Sequence, residues 1–458
     1  MIKTAILLTA GKGRKCWPYS VTKNKCTLPI ANRPILLWIV QALQHAGIER
    51  VVVVTGYKSD QVAHTLRDAP LPVSYVRSNG QGTAADVATA WNELEDQKVL
   101  VCYGDLVIHP DSIKDLVDYA RDHDPVGAAL VDPLEQELPQ EWICAQVNDH
   151  RLEQVLGHPR DDVSHRLCGV YVLDKKLAPF LTPHPGYMQN VQVGMMPPEE
   201  GPLEDCLQFA IERKESISAI AVRKPFVDVD APWHLLFANA QWLEYLSENM
   251  QEDIASSAKI SDSAQISGRV KIGENSVIGP GVIIEGDVWI GDNSTVTQGA
   301  ILEPNVSIGN HCLVRRMCQI EHNTSVGDEC VVGHAAEVSG IMMRNSYAYH
   351  YGEYWGILGE NSDLGAATVC GNLRFDDQQT LHRMAGFRTV PRHGANAAYL
   401  GDYVRTGVNV IIMPGIKIGP YSVIGAGTVV DSDVAENSLV YVQQQLVKKT
   451  WGPERYGW

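Results

Sequence analysis

The chain is short of phenylalanine, with 6 in 458 residues, and of positive charge, with 38 Lys and Arg against 54 Asp and Glu. The resulting net charge of −16 excludes a general nucleic-acid or membrane-surface binder, whose phosphates would be repelled over most of the surface. Any anionic ligand must therefore meet a local basic cluster. No two of the ten cysteines form a CxxC pair, so reduced thiols in a cytoplasm are expected and a disulfide framework is not. Long hydrophobic runs are also missing. The run TAILLTA, Thr4 to Ala10, is too short for a leader or a spanning helix, and a soluble, cytoplasmic protein is expected.

What is present divides near Gln251. TAILLTA, VVVVTG (Val51 to Gly56) and VLVCYG (Val99 to Gly104) read as buried strands, and PILLWIVQALQHA (Pro34 to Ala46) has helical apolar spacing that Gly47 ends. Strands alternating with helices predict a mostly parallel sheet covered on both faces. A further helix is expected from about Trp233 to Tyr245. Beyond it, Ile254, Ile260 and every sixth residue through Val338 are aliphatic, fifteen positions in succession. Small residues fall four places after most of them. That period predicts a triangular coil with three short strands per turn, stacked at roughly 4.8 Å per coil. A second run, Leu358, Leu364 and Cys370, then Leu400 to Val430, adds about three coils. The period breaks at Gly340 to Gly356 and at Asn372 to Ala398, where loops on one face are expected. Cys312 and Cys330 should stack; as small inward residues they read as compact hydrophobes rather than metal ligands.

The stretch LLTAGKGRKCWPYS, Leu7 to Ser20, follows the first strand. It is neither a Walker A loop nor a dinucleotide GxGxxG. From Lys12 to Lys25 it and its continuation carry five basic residues and no acid (Lys12, Arg14, Lys15, Lys23 and Lys25), a concentration that suits a polyanion. Gly11, Gly13, Pro18, Lys25, Leu28 and Pro29, with Gln81-Gly82-Thr83-Ala84, Gly104-Asp105 and Asp228 in FVDVD, together resemble the sugar-1-phosphate nucleotidylyltransferases over about residues 3 to 245. A nucleotidylyltransferase domain joined to a left-handed β-helix in turn resembles the bifunctional sugar-1-phosphate nucleotidylyltransferase/acetyltransferase family, on Gly359-Glu360-Asn361, Asn372 to Asp376 and Gly401 to Asn409.

The resemblance implies a Rossmann-like α/β domain over 1–232, a linking helix over 233–250, a left-handed parallel β-helix over 251–440 and a tail over 441–458. It implies that Gly11, Gly13, Arg14, Gln81, Gly82 and Thr83 bind a nucleoside triphosphate and that Asp105 and Asp228 hold Mg²⁺. Lys15 would hold the departing pyrophosphate, and Lys25 the α-phosphate and the sugar 1-phosphate. In the β-helix, His350 would take a proton from an amine attacking acetyl-coenzyme A or another coenzyme A thioester. Asp363, Asn372 and Arg405 would lie near donor or acceptor, and Arg383, Arg388 and Arg392 in the second break could meet the donor's phosphates. A homotrimer is implied. Several positions depart from the family: Arg14-Lys15 stands for Thr-Arg, Gly157-His158-Pro159 for Glu-Lys-Pro, Leu167 for Asn, Ser339 for Lys and Asp363 for Asn. These departures keep open two other readings: a nucleotidylyltransferase with the β-helix as a trimerising scaffold, and a non-catalytic nucleotide-sugar-binding regulatory subunit.

Overall fold

A computed structural model describes residues 2–134, 138–160, 163–181, 201–384 and 386–456. The first part is built on nine strands: β1 Thr4–Leu8, β2 Arg50–Thr55, β3 Val73–Arg77, β4 Lys98–Tyr103, β5 Gly127–Pro133, β6 Ile143–Asn148, β7 Arg151–Gly157, β8 His165–Asp174 and β9 Ile217–Ala221. They pair in the order β3-β2-β1-β4-β8-β5-β9-β7-β6. β1 is parallel to β2 and β4, whereas β8 runs antiparallel between β4 and β5. Alternate residues of β1 feed two cores, Ala5 and Leu7 one face and Ile6 and Leu8 the other. Connections after β1 lead outward to β2 and after β4 to the other side. This reversal leaves a crevice at the carboxyl ends of β1 and β4.

From Asp253 onward short parallel strands stack coil on coil. Ile272, Ile290, Ile308 and Val326 align on one face at intervals of eighteen residues, as the period predicts. Asn275, Asn293, Asn305 and Asn323 turn the corners at positive φ, a conformation asparagine tolerates better than branched residues do. Cys312, Cys318 and Cys330 are buried in this core. Cys312 Sγ lies 3.0 Å from Gly327 O as its donor, and burial pushes the Cys312 thiol up to about 11 and that of Cys318 to about 12.

The first break in the period is a shortening and not a loop. Val338 pairs with Ile320 and Met342 with Val326, so four residues span what six span one coil earlier. The same happens at Tyr354 and Leu358. A corner has been removed, and Ala336–Met342 and Gly352–Leu358 run straight through it as seven-residue strands. Backbones approach closely here: a Cβ on Gly356 would lie 1.8 Å from Ala398 O, and one on Gly340 2.2 Å from Gly356 O. Against these strands packs the helix Pro232–Glu248. Ile341, Met343 and Ile357 consequently belong to the same apolar core as Trp233, Leu235 and Trp242. That helix is part of the first domain's core as well as the junction.

Polar contacts extend the junction. Tyr19 Oη donates to Ile357 O at 2.8 Å, and Asn32 Nδ2 donates to Ser307 O and Val326 O at 3.0 and 2.9 Å. Asn239 Oδ1 accepts from Ala31 N and from Ser325 Oγ. The second break is a true insertion. Leu358 pairs with Leu400, and the inserted residues carry an antiparallel ribbon, His382–Met384 with Phe387–Thr389. After it the eighteen-residue spacing resumes at Leu400 and Ile418.

Gly356→Ala should lower stability by about 3 kcal/mol or more in thermal or denaturant unfolding, since a backbone carbonyl cannot yield to the new Cβ. Gly281→Ala, also at positive φ but with no atom closer than 3.7 Å, should cost only about 1 kcal/mol. A pH dependence is also expected. Glu337, hydrogen-bonded to Glu321, partly buried and close to Glu353 and Glu303, is pushed up to about 7. The fold favours its protonated form, so its stabilising contribution is present at acid pH and lost as pH rises through about 7. Glu337→Gln should shrink the fall in melting temperature between pH 6 and pH 8.

Candidate active site

The crevice beyond β1 and β4 brings together four of the expected residues of the first domain, Lys15, Lys25, Asp105 and Asp228. Only a glycine fits after β4, because a Cβ on Gly104 would lie 2.8 Å from Leu8 O; its amide donates to that oxygen at 2.9 Å. Asp105 is thereby set over the end of β1. A short ribbon pairs Phe226–Asp228 with Leu106–Ile108, opposing Asp228 to Leu106, and Val229 N donates to Asp105 O at 3.0 Å. Asp105 and Asp228 are held side by side by backbone. Gly13, at φ 57, turns the loop into a short 3₁₀ segment, Arg14–Cys16, and its missing side chain leaves room for Lys25, 3.0 Å from where a Cβ would be.

Lys25 is the hub. Its Nζ lies 2.6 Å from Asp105 Oδ2 and 3.2 Å from Asp230 Oδ1. Lys15 Nζ lies 2.7 Å from Asp230 Oδ2. Burial alone would lower the Lys25 ammonium, but Asp105, Asp230 and Asp228 outweigh it and hold it well above the usual lysine range. Asp228 responds in the opposite sense: burial first, then the neighbouring Asp105, pushes its carboxyl up to about 7. Burial would raise Asp230 too, yet Lys25 and Lys15 overcome this and keep it far below the carboxylate norm.

The sequence reading did not single out Asp230, although it stands two residues after Asp228 in FVDVD; its partners lie more than two hundred residues away in the chain. Trp142 was also missed. Its indole Nε1 is buried without a hydrogen-bond partner, and its ring sits beneath the Arg166 guanidinium and beside His234. Glu204 completes this list. Its Oε1 accepts from the hydroxyls of Tyr103 and Tyr171, both at 2.7 Å.

Asp105 Oδ1 is buried with no partner. That orphan, together with a recessed Asp228 burdened by a neighbouring charge, fits a divalent cation coordinated by two carboxylates. No cluster of three or more ligating side chains exists among the described residues, so further ligands would come from substrate phosphates and water, as suits Mg²⁺. Gln81, Gly82 and Thr83 stand at the start of the helix Thr83–Asn92, where Tyr103 Oη, at the end of β4, donates to Thr83 Oγ1 at 3.4 Å. Gly82 passes against the backbone of Gly201, which a Cβ would meet at 2.5 Å, and Thr83 Oγ1 accepts from Leu203 N at 2.8 Å. Gly11 is open and exposed, and Lys12 and Arg14 are exposed on the loop as well, away from the Lys25 cluster. The basic run does not act as one cluster: Lys23 turns to the β-helix and pairs with Asp402 and Glu360. Leu167, in a position the family gives to asparagine, is buried in the sheet's core.

In the β-helix, His350 is exposed at a corner beside Tyr349 and His334, with ring centroids 5.1 and 6.0 Å away. Tyr349 Oη accepts from Arg315 and Arg316. Of the aromatic residues that follow His350, Tyr354 is buried inside the coil and Trp355 packs toward the first domain. Tyr347, Asp363 and Arg405 stack on one face in successive coils. Asn372 Nδ2 donates to Glu353 Oε1 at 3.4 Å. Ser339 lies opposite Trp355 on the straightened strand, at the junction. Arg383 belongs to the inserted ribbon, which reaches back to the first domain.

These features define a nucleotide-transferring α/β domain with a hexapeptide coil behind it. The MobA-like NTP transferase domain family matches residues 5–254, and the bacterial transferase hexapeptide (six repeats) family matches residues 397–432; the second part is thus a left-handed parallel β-helix. The bifunctional protein GlmU of Methanococcus maripaludis strain C7 is 34% identical over 455 residues, covering 97% of this chain and 98% of its own. Its counterpart in strain S2 is 31% identical, with the same coverage. The bifunctional sugar-1-phosphate nucleotidylyltransferase/acetyltransferase of Sulfurisphaera tokodaii is 25% identical over 94% of this chain and 98% of its own. The chain belongs to the bifunctional GlmU family.

Lys25→Met should destabilise the metal-free protein by about 3 kcal/mol, because three recessed carboxylates lose their shared cation. Chemical denaturation would measure it. Adding Asp105→Asn should restore part of the loss.

Proposed function

We propose that the chain is a sugar-1-phosphate nucleotidylyltransferase whose β-helix also transfers an acyl group from coenzyme A. The observation that carries the first half is the Lys25–Asp105–Asp230 cluster beside Asp228, with an orphaned carboxylate oxygen, at the sheet's reversal point. In this reading a phosphate oxygen of the sugar 1-phosphate attacks the α-phosphorus of a nucleoside triphosphate in line, and pyrophosphate leaves. No protein nucleophile is needed. Mg²⁺ held by Asp105 and Asp228 would neutralise phosphate charge when bound. Lys25 holds the α-phosphate and the sugar phosphate; Lys15, released from Asp230 by the nucleotide, holds the departing pyrophosphate. Backbone amides at Gly11, Gly13 and Arg14 face the phosphates, and Gln81, Gly82 and Thr83 the base.

For the second half, His350 accepts the proton of an acceptor amine as it attacks the thioester carbonyl, a task suited to imidazole near neutral pH. Asp363, Asn372 and Arg405 contact donor or acceptor, with Asp363 and Arg405 stacked on Tyr347 in successive coils. The exposed apolar faces beyond Leu400, among them Ile411, Val423 and Val429, support a homotrimer with acyl sites between neighbouring rods.

Pyrophosphate release from a panel of nucleoside triphosphates and sugar 1-phosphates tests the first half: at least one pair should turn over, and Asp105→Ala should reduce its rate by about a hundredfold or more. Thiol release from acetyl-coenzyme A with amino-sugar phosphates should fall by roughly a hundredfold or more in His350→Ala. Turnover in the first assay and none in the second with the parent chain would leave the β-helix a scaffold.

A further inference from the structure

The loop that carries Lys15 has a second face. Lys15 turns into the crevice toward Asp230, while Lys12 and Arg14 turn the other way, into a cavity of about 490 Å³ between the two domains. The opposite wall comes from the β-helix: Arg383 on the inserted ribbon and Lys417 on the coil beneath it. Trp17 and Tyr57 line the sides.

Charge in this cavity is unevenly satisfied. Lys417 is buried and spoken for, 2.9 Å from Asp433 Oδ2 and 3.0 Å from His382 Nδ1. Trp17 Nε1 donates to Glu436. Lys12, Arg14 and Arg383, by contrast, pair with no carboxylate among the described residues. In a chain of net charge −16, three uncompensated cations meeting from two domains are a site for a polyanion. The ribbon is anchored to present its arginine. His382, immediately before Arg383, is buried and donates from Nε2 to Ala395 O at 2.7 Å; Met384, immediately after, packs against the apolar core of the first domain.

We propose that this cavity takes the pyrophosphate end of the nucleoside triphosphate, so that the β-helix completes the nucleotide site of the other domain through Arg383. The inference rests on the nucleotidyltransferase reading. One loop carries both basic faces, Lys15 toward the crevice and Lys12 and Arg14 toward the cavity, so phosphates that extend past this loop meet Arg383, whose planar guanidinium offers two parallel donors to phosphate oxygens. Nucleotidyl transfer then depends on a residue that lies some 370 positions after the loop it serves, and departing pyrophosphate passes along the domain junction.

The test is steady-state kinetics of the full chain and its Arg383→Ala and Arg383→Lys variants, in the forward direction and with pyrophosphate as substrate in reverse. Arg383→Ala should raise KM for the nucleoside triphosphate and for pyrophosphate about tenfold, with kcat within about twofold, and Arg383→Lys should fall between. An unchanged nucleotide KM, or a rise confined to the KM of acetyl-coenzyme A, overturns the proposal and leaves the nucleotidyltransferase reading standing. If the parent chain turns over no substrate pair, that reading fails instead, and calorimetric titration of inorganic pyrophosphate decides on the cavity. Binding weakened about tenfold by Arg383→Ala upholds a polyanion site; absent or equal binding removes it.

Discussion

The constraint on which the rest depends is the removal of one corner from two coils of the β-helix. A regular coil presents turns at that edge, and turns cannot be covered by a helix. With Ala336–Met342 and Gly352–Leu358 running straight, the edge becomes a small sheet, and the helix Pro232–Glu248 lies on it as it would on any sheet of an α/β protein. The requirement is strict because carbonyls of neighbouring coils come within Cβ distance of Gly340 and Gly356, so the strands can stack only where side chains are missing. One apolar core then spans both domains, from Leu36 through Trp242 to Ile357 and Tyr399.

That junction shapes the chemistry on either side. The loop after β1 is held by the first domain at Asn24, whose side chain donates to Thr9 O and Tyr57 O, and by the β-helix at Tyr19, Thr22 and Lys23. With the loop fixed at both ends, Lys15 and Lys25 are placed against Asp230 and Asp105 at the cost of only local side-chain order. Asp105, Asp228 and Asp230 leave the crevice acidic while Lys25 and Lys15 are there to meet phosphate. A site balanced in this way favours ligands that bring cation and phosphate together, which is the composition of a metal-bound triphosphate.

Most of the architecture was legible in the sequence because both halves carry a period. The aliphatic sixth positions from Ile272 to Val338 all face inward, and the apolar runs TAILL, RVVVVT and KVLVCY stand as neighbouring strands. The shortened coil was legible as an interruption and not as a lost corner, since a break in the period carries no sign of whether residues were added or removed. Candidate residues next to one another in a motif, such as Gly104-Asp105, stand out in the sequence. Asp230 and Trp142 do not, because their meaning comes from Lys15, Lys25 and Arg166, to which no spacing rule connects them. Lys23 was misread for the same reason: a run of lysines gives their number but not their directions, and Asp402 lies 379 residues away.

Hydrogen exchange of the full chain, followed peptide by peptide, tests the central claim that the two domains are one cooperative body. Because the helix Pro232–Glu248 and the strands Ala336–Met342 and Gly352–Leu358 share a core, they should open together, with one common free energy of opening. Contradiction would be a helix that exchanges with the first domain while the straightened strands stay protected, for then the corner would have been lost without joining anything.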